Sequence, residues 1–176
     1  MVEKEFFDRK NELKILQEKY AELSPSNMLV LYGRRRVGKT ELVKQFLKNI
    51  KNHFYFYVEV TQKGEILNYL SKSVEEQLGE KIVFKDFYEF LNYIGDKTDK
   101  EPFVLVIDEF QRFLDIAPEY ISSLQNAWDS KLKHKKILIL LLGSSIGMIQ
   151  KIMNNKAGAL YGRAQKIKIS PFKYSD

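Results

Sequence analysis

Apolar residues recur along the chain in blocks that switch between helical and strand spacing. Leu13, Leu16, Tyr20 and Leu23 share one face of a helix predicted over Arg9 to Leu23, with Asp8 as its N-cap. The polar stretch Ser24 to Asn27 ends it. Met28 to Tyr32 is a short unbroken apolar run, the pattern of a strand buried on both faces. Leu42, Val43, Phe46, Leu47 and Ile50 return to helical spacing, and His53 to Val60, aromatic and β-branched, reads as a second strand. Helical segments follow over Glu65 to Leu78 and Lys85 to Tyr93. Phe103 to Phe110, entered by Pro102, is a third buried strand, and Pro118 opens a helix reaching Lys133. Lys136 to Ser145 is the fourth strand. Ala164 to Ser170, alternating with period two, is the fifth. Strands alternating with helices predict an α/β domain with a mostly parallel sheet covered on both faces. No internal repeat interrupts this order, and 176 residues suit a single domain, 1–176.

Composition narrows the functional classes. There are no cysteines, which excludes disulfides and thiolate chemistry and suits a reducing compartment. His53 and His134 stand far apart, with no metal-ligand spacing around them. The first residues carry no apolar signal core, and the longest apolar run, Ile137 to Leu142, is too short to span a bilayer. A cytoplasmic protein without membrane attachment is the expectation. The net charge of +6 mildly favours a phosphate-bearing partner, although both signs are interspersed and a solvated lysine-rich surface has the same signature.

The candidate chemistry begins at "LYGRRRVGKTELV", Leu31 to Val43. Gly33, Gly38, Lys39 and Thr40 satisfy G-x-x-x-x-G-K-[ST], between an apolar strand and an amphipathic helix. Glycines let the backbone curl so that successive N–H groups face phosphate oxygens. Lys39 adds a point charge toward the β- and γ-phosphates, the Thr40 hydroxyl suits Mg2+, and the helix start aims its positive end at the anion. The predicted nucleotide-binding set runs through the loop as Gly33, Arg34, Arg35, Arg36, Val37, Gly38, Lys39, Thr40 and Glu41. The three arginines either hold phosphate or point outward to solvent or a partner.

"VLVIDEF" places Asp108 and Glu109 at the carboxyl end of an apolar strand, where ligands bind in open parallel sheets. Asp108 is assigned to the metal with Thr40, and Glu109 to orienting and deprotonating an attacking water. A whole strand lies between the glycine loop and this acid pair. That spacing, with the second carboxylate, is the layout of the ATPase branch of phosphate-loop proteins. No guanine-reading "NKxD" motif is present.

Three further features attach to this core. Ser144 or Ser145 would contact the γ-phosphate or the water if the fourth strand lies between the first and third; a helix N-cap is the alternative for either serine. Arg163 is either a catalytic arginine facing a neighbouring subunit or a structural ion pair. The basic stretch Ser130 to Lys136, with Lys131, Lys133, Lys135 and Lys136, is either a nucleic-acid contact or a solvated helix end.

Taken together, "FFDRKNEL", "YGRRRVGKTEL", "VLVIDEFQ", "LLLGSSIGMI" and "LYGRAQKIKISPF" resemble the archaeal-type ATPases related to the AAA+ and STAND switches. The resemblance covers nearly the whole chain. It implies a three-layer P-loop sandwich with strand order 5-1-4-3-2, ATP or ADP as nucleotide, and Phe6, Phe7 and Arg9 near the adenine edge. From the residues alone, those three read as helix-start packing. Members of the family usually continue past "PF" into a helical lid and a winged-helix region, so this chain is expected to be the ATPase core of a longer protein. A protein or DNA partner would then act through that further region. The expected function is Mg2+-dependent ATP binding and hydrolysis, with Lys39, Thr40, Asp108 and Glu109 as the working set and Ser144 and Arg163 assisting. It would drive a conformational switch or assembly. The alternatives are a non-hydrolysing nucleotide switch and a nucleic-acid-binding ATPase.

Overall fold

The computed structural model describes residues 9–24, 26–59, 62–154 and 158–171. Its elements follow the order α1 (Lys10–Ala21), β1 (Asn27–Tyr32), α2 (Lys39–Leu47), β2 (His53–Tyr57), α3 (Lys63–Leu78) and α4 (Phe87–Lys97). Then come β3 (Phe103–Asp108), a 3-10 turn (Phe110–Arg112), α5 (Phe113–Ile116), α6 (Glu119–Ser130), β4 (Ile137–Gly143), α7 (Ile146–Asn154) and β5 (Gln165–Lys168). The strands form one five-stranded sheet in the order β2-β3-β4-β1-β5. Every pairing is parallel, which matches the order expected from the resemblance.

Alternating strand residues build two cores. Met28, Val30, Leu105, Ile107, Ile139 and Leu141 pack with α3, α4, α6 and α7. Leu29, Leu31, Val104, Val106, Leu138, Leu140 and Leu142 pack with α1 and α2. β1, β3 and β4 are the middle strands, so both of their faces are apolar. β5 lies at an edge. There Ile167 and Ile169 join the α1/α2 core while Lys166 and Lys168 are exposed, the expected alternation over a shorter strand.

Element ends depart from the sequence reading for local reasons. β3 stops at Asp108 because Glu109 takes a left-handed backbone, φ 57°, which turns Phe110 into the core. α4 begins later than Lys85, at Phe87, where the Asp86 carboxylate accepts the Glu89 N–H at 2.7 Å as an N-cap. α6 ends at Ser130, before Lys133. A 3-10 turn, Leu132–His134, then buries Leu132 close against Gly95, whose missing Cβ would stand 2.8 Å from that side chain. α7 had no counterpart in the predicted elements. The predicted N-cap Asp8, the strand end Val60, and Phe6 and Phe7 lie outside the described residues.

Candidate functional site

The glycine loop leaves β1 through a gap that only glycine passes. A Cβ on Gly33 would lie 2.2 Å from the Ile169 carbonyl oxygen, a backbone atom of the neighbouring edge segment. The Ile169 N–H donates to the Tyr32 carbonyl at 2.8 Å and fixes that approach. Arg36 and Gly38 both adopt positive φ, 64° and 87°, which folds the loop back before α2 starts at Lys39. Val37 is buried in the α1/α2 core. Its carbonyl accepts the Arg9 guanidinium at 2.7 Å, and the same nitrogen of Arg9 donates to the Ser170 carbonyl at 2.6 Å. Arg9 is 3% exposed, and these bonds brace the loop backbone.

Lys39 folds over the loop and donates to the carbonyls of Gly33 and Arg34, both at 2.9 Å. Burial pushes its ammonium below the ordinary lysine value, while the charges of Glu109 and Asp108 push it back up. The start of α2 and this ammonium both place positive charge at the loop.

Asp108, 1% exposed, is held by three donors. Its Oδ2 accepts the Thr40 hydroxyl at 2.7 Å and also the Tyr55 hydroxyl. Its Oδ1 accepts the Glu109 N–H at 2.8 Å. Burial, and then the hydrogen bond to Asp108, raises the Tyr55 phenol, which keeps it a donor. Glu109 turns the other way. Its Oε2 accepts the Ser144 hydroxyl at 2.7 Å and the Gln111 amide at 2.5 Å. Gln111 is buried, and its Oε1 has no partner among the described residues. β4 does lie between β1 and β3, so Ser144 reaches the acid pair as the conditional reading required. Ser145 stands at the start of α7, its carbonyl accepting the Ile149 N–H at 3.0 Å. Ser144 thus stands at the acid pair and Ser145 at the helix start.

An open cleft of about 460 Å3 runs over these groups. Arg35, Arg36, Gly38, Lys39, Thr40 and Glu41 line one side; Tyr57, Glu109 and Arg112 line the other. Arg34 is exposed and contributes its carbonyl to Lys39 rather than its side chain to the cleft.

Arg163 is not brought to this cleft by its own chain. β5 runs parallel to β1 with Gln165 opposite Leu29, so Arg163 sits at the amino ends of the strands, on the far rim from the glycine loop. There it makes a two-point ion pair with Asp129, at 2.8 and 2.6 Å, which is the structural alternative of the two readings. The basic stretch is also partly engaged. Lys131 bonds Asp96 at 2.6 Å and Lys135 bonds Asp99 at 2.5 Å.

Tyr55, Gln111 and Arg112 were missed as site residues. For Tyr55 a signal existed: in "HFYFY" the phenylalanines and tyrosines alternate, so Phe54 and Phe56 enter one core and Tyr55 faces the glycine-loop side. Gln111 and Arg112 directly follow the acid pair, and proximity in sequence was the available clue.

Among known proteins, one from Methanocaldococcus jannaschii, uncharacterized, is 35% identical over 173 residues, covering 96% of this chain and 36% of that protein. An uncharacterized ATP-binding protein of the same organism is 54% identical over 46 residues, 26% of this chain and 76% of its own length. A Walker-type ATPase of Pyrococcus abyssi has a TM-score of 0.73 at 21% identity, covering 96% of this chain and 55% of that one. Drosophila ORC bound to DNA gives a TM-score of 0.70 at 19% identity, covering 96% of this chain and 44% of that one. At such identities these structures speak for the fold alone, and this chain spans only part of the length of each. The match that reaches further runs over residues 6–176, to the ATPase domain predominantly from Archaea, and the chain belongs to that family.

Proposed function

We propose that the domain binds ATP with Mg2+ in the cleft over the glycine loop and hydrolyses it, driving a conformational change or assembly step in a larger protein. The observation that carries this is the Thr40 hydroxyl on the Asp108 carboxylate at 2.7 Å, beside Lys39, with Glu109 oriented by Ser144. Two hard oxygen donors meeting at one point fit Mg2+, which takes few protein ligands and shares the rest with phosphate and water. Among the described residues no cluster of three or more His, Cys, Asp or Glu offers an all-protein cage. When bound, the metal neutralises charge on the β- and γ-phosphate oxygens. The nucleotide is chosen on the family and on the relative named as ATP-binding.

The chain's own groups then have separable tasks. Lys39 exchanges the Gly33 and Arg34 carbonyls for phosphate oxygens, which relieves the cost of burying its charge. The loop N–H groups and the α2 start hold the remaining phosphate charge. Glu109 accepts a proton from water as its oxygen attacks the terminal phosphorus and the bond to the ADP oxygen breaks. Ser144 keeps the Glu109 carboxylate at that place.

A second reading is a nucleotide switch that barely hydrolyses. One Glu109 oxygen, Oε2, already accepts two hydrogen bonds, from Ser144 and Gln111, so proton transfer would fall to Oε1 or require one of these bonds to open. Phosphate release with Mg2+ separates the two. Glu109→Gln is expected to lower turnover by on the order of a thousandfold while ATP still binds. Equal background release from both proteins with ATP bound would leave the switch, and no ATP binding by either would sink both readings. A role for Arg163 in a neighbouring subunit would require it to leave Asp129, so turnover per chain is expected to stay flat as protein concentration rises.

A further inference from the structure

The cleft holds a half-buried arginine that the tasks above do not use. Arg112 ends the 3-10 turn after the acid pair, its N–H bonded to the Glu109 carbonyl at 3.0 Å. Its NH1 donates to the Val58 carbonyl at 2.6 Å, and its guanidinium lies 5.3 Å from the centre of the Tyr57 ring. These two contacts fix the plane of the fork against the cleft wall, on the side opposite Arg35 and Arg36.

Its charge is the telling feature. No carboxylate pairs with Arg112 among the described residues, and its Nε and NH2 have no hydrogen-bond partner there. Four other partly buried cations are closed by an acid, Lys97 by Glu80, Lys131 by Asp96, Lys135 by Asp99 and Arg163 by Asp129, whereas Lys19, away from the cleft, has no such pair among the described residues. A guanidinium held at a cleft without a counter-ion leaves its fork open to a ligand, and a phosphate matches that fork with two parallel hydrogen bonds. The neighbours that share its cleft wall, Tyr57 and Glu109, put it on the side where the water-activating carboxylate stands.

We propose that Arg112 binds the terminal phosphate of ATP from within the same chain, so that the domain tells ATP from ADP by this side chain. The inference rests on the ATP reading above and adds the group that makes the site specific for the triphosphate. ADP bound in the glycine loop lacks the phosphate that would meet the free Nε and NH2, and Arg112 would stay on Val58 and Tyr57.

The test is calorimetric binding of ATP and of ADP, each with Mg2+, in a Glu109→Gln background that prevents turnover. Arg112→Gln is expected to weaken ATP on the order of tenfold or more and leave ADP within about twofold. Arg112→Lys, which keeps the charge without the fork, is expected to fall between and guards against a folding defect in the first variant. Equal losses for both nucleotides, or no loss for either, would overturn the proposal. Binding of neither nucleotide by the unsubstituted Arg112 protein would instead overturn the ATP reading on which it stands.

Discussion

The amino rim of the sheet and the cleft at its carboxyl rim arrange charge in opposite ways. At the amino ends of the strands, Lys131, Lys135 and Arg163 each close on an aspartate from the same chain. At the carboxyl ends, Lys39 leans on backbone carbonyls, Arg112 on a carbonyl and a ring, and Asp108 and Glu109 accept only from neutral donors. Opposite charges share that cleft without pairing. Backbone strain divides the same way: the non-glycine residues with positive φ among those described, Arg36 and Glu109, both stand at the carboxyl rim. The amino rim closes these charges internally. The carboxyl rim has closed pairs as well, Arg9 with Glu12 and Lys63 with Glu119, but inside its cleft Lys39, Arg112, Asp108 and Glu109 stay without an ion-pair partner among the described residues.

The sharpest way to break the comparison is to make one substitution at both rims. Gly33→Ala drives a methyl to 2.2 Å from the Ile169 carbonyl, where only backbone can yield. It is expected to cost about 3 kcal/mol or more and to deform the loop. Gly162→Ala at the amino rim meets nothing within 4 Å and pays only for its φ of 71°, about 1 kcal/mol. Denaturant unfolding of both variants measures the gap. Equal losses would mean that the loop's close passage past β5 is not what fixes it.

A middle-sized effect is expected from Tyr55→Phe. The hydroxyl that donates to the buried Asp108 oxygen disappears while the ring and its packing remain. A hydrogen bond to a charged, desolvated carboxylate is worth about 2 kcal/mol, and unfolding midpoints should fall accordingly. Tyr57→Phe serves as the control, because its half-exposed hydroxyl has no such partner among the described residues. If both variants melt like the parent, Asp108 is held well enough by Thr40 and the Glu109 N–H alone.

Much of this arrangement was legible because it is local. β1, β3 and β4 are unbroken apolar runs, and the glycine loop and acid pair lie within a few residues of strand ends where α/β sheets keep their ligands. What stayed hidden depends on contacts between distant segments. Arg9 bonds Val37, 28 positions on, and Ser170, 161 positions on, so helix-start packing and loop bracing look alike in sequence. Arg163 precedes an alternating strand and follows a glycine, which suits an active arginine; only the parallel register with β1 sends it to the far rim. α7 had no predicted range of its own, although Gly143, Ser144 and Ser145 separate it from the apolar run of β4 and the N-cap alternative for the serines points to a helix there. Glu109's left-handed turn, which shortens β3 and points the carboxylate at Ser144, has no marker of its own in "VLVIDEF".

The smallest effect sharpens the contrast most cleanly, because it should leave the cleft untouched. Arg163 holds the Asp129 carboxyl below its usual range, chiefly through the hydrogen bond between them. A carboxyl whose folded pKa is depressed adds stability above the unfolded value, near 4, and loses it as pH falls through the folded one. Arg163→Ala should therefore be less stable than the parent at neutral pH and converge with it in acid. Both partners are partly exposed, so solvent screening limits the neutral difference to about 1 kcal/mol or less. ATP affinity of the variant should match the parent at every pH where both are folded. A loss of affinity would mean that the amino rim, despite its closed charges, reaches the nucleotide through the sheet or through a neighbouring chain.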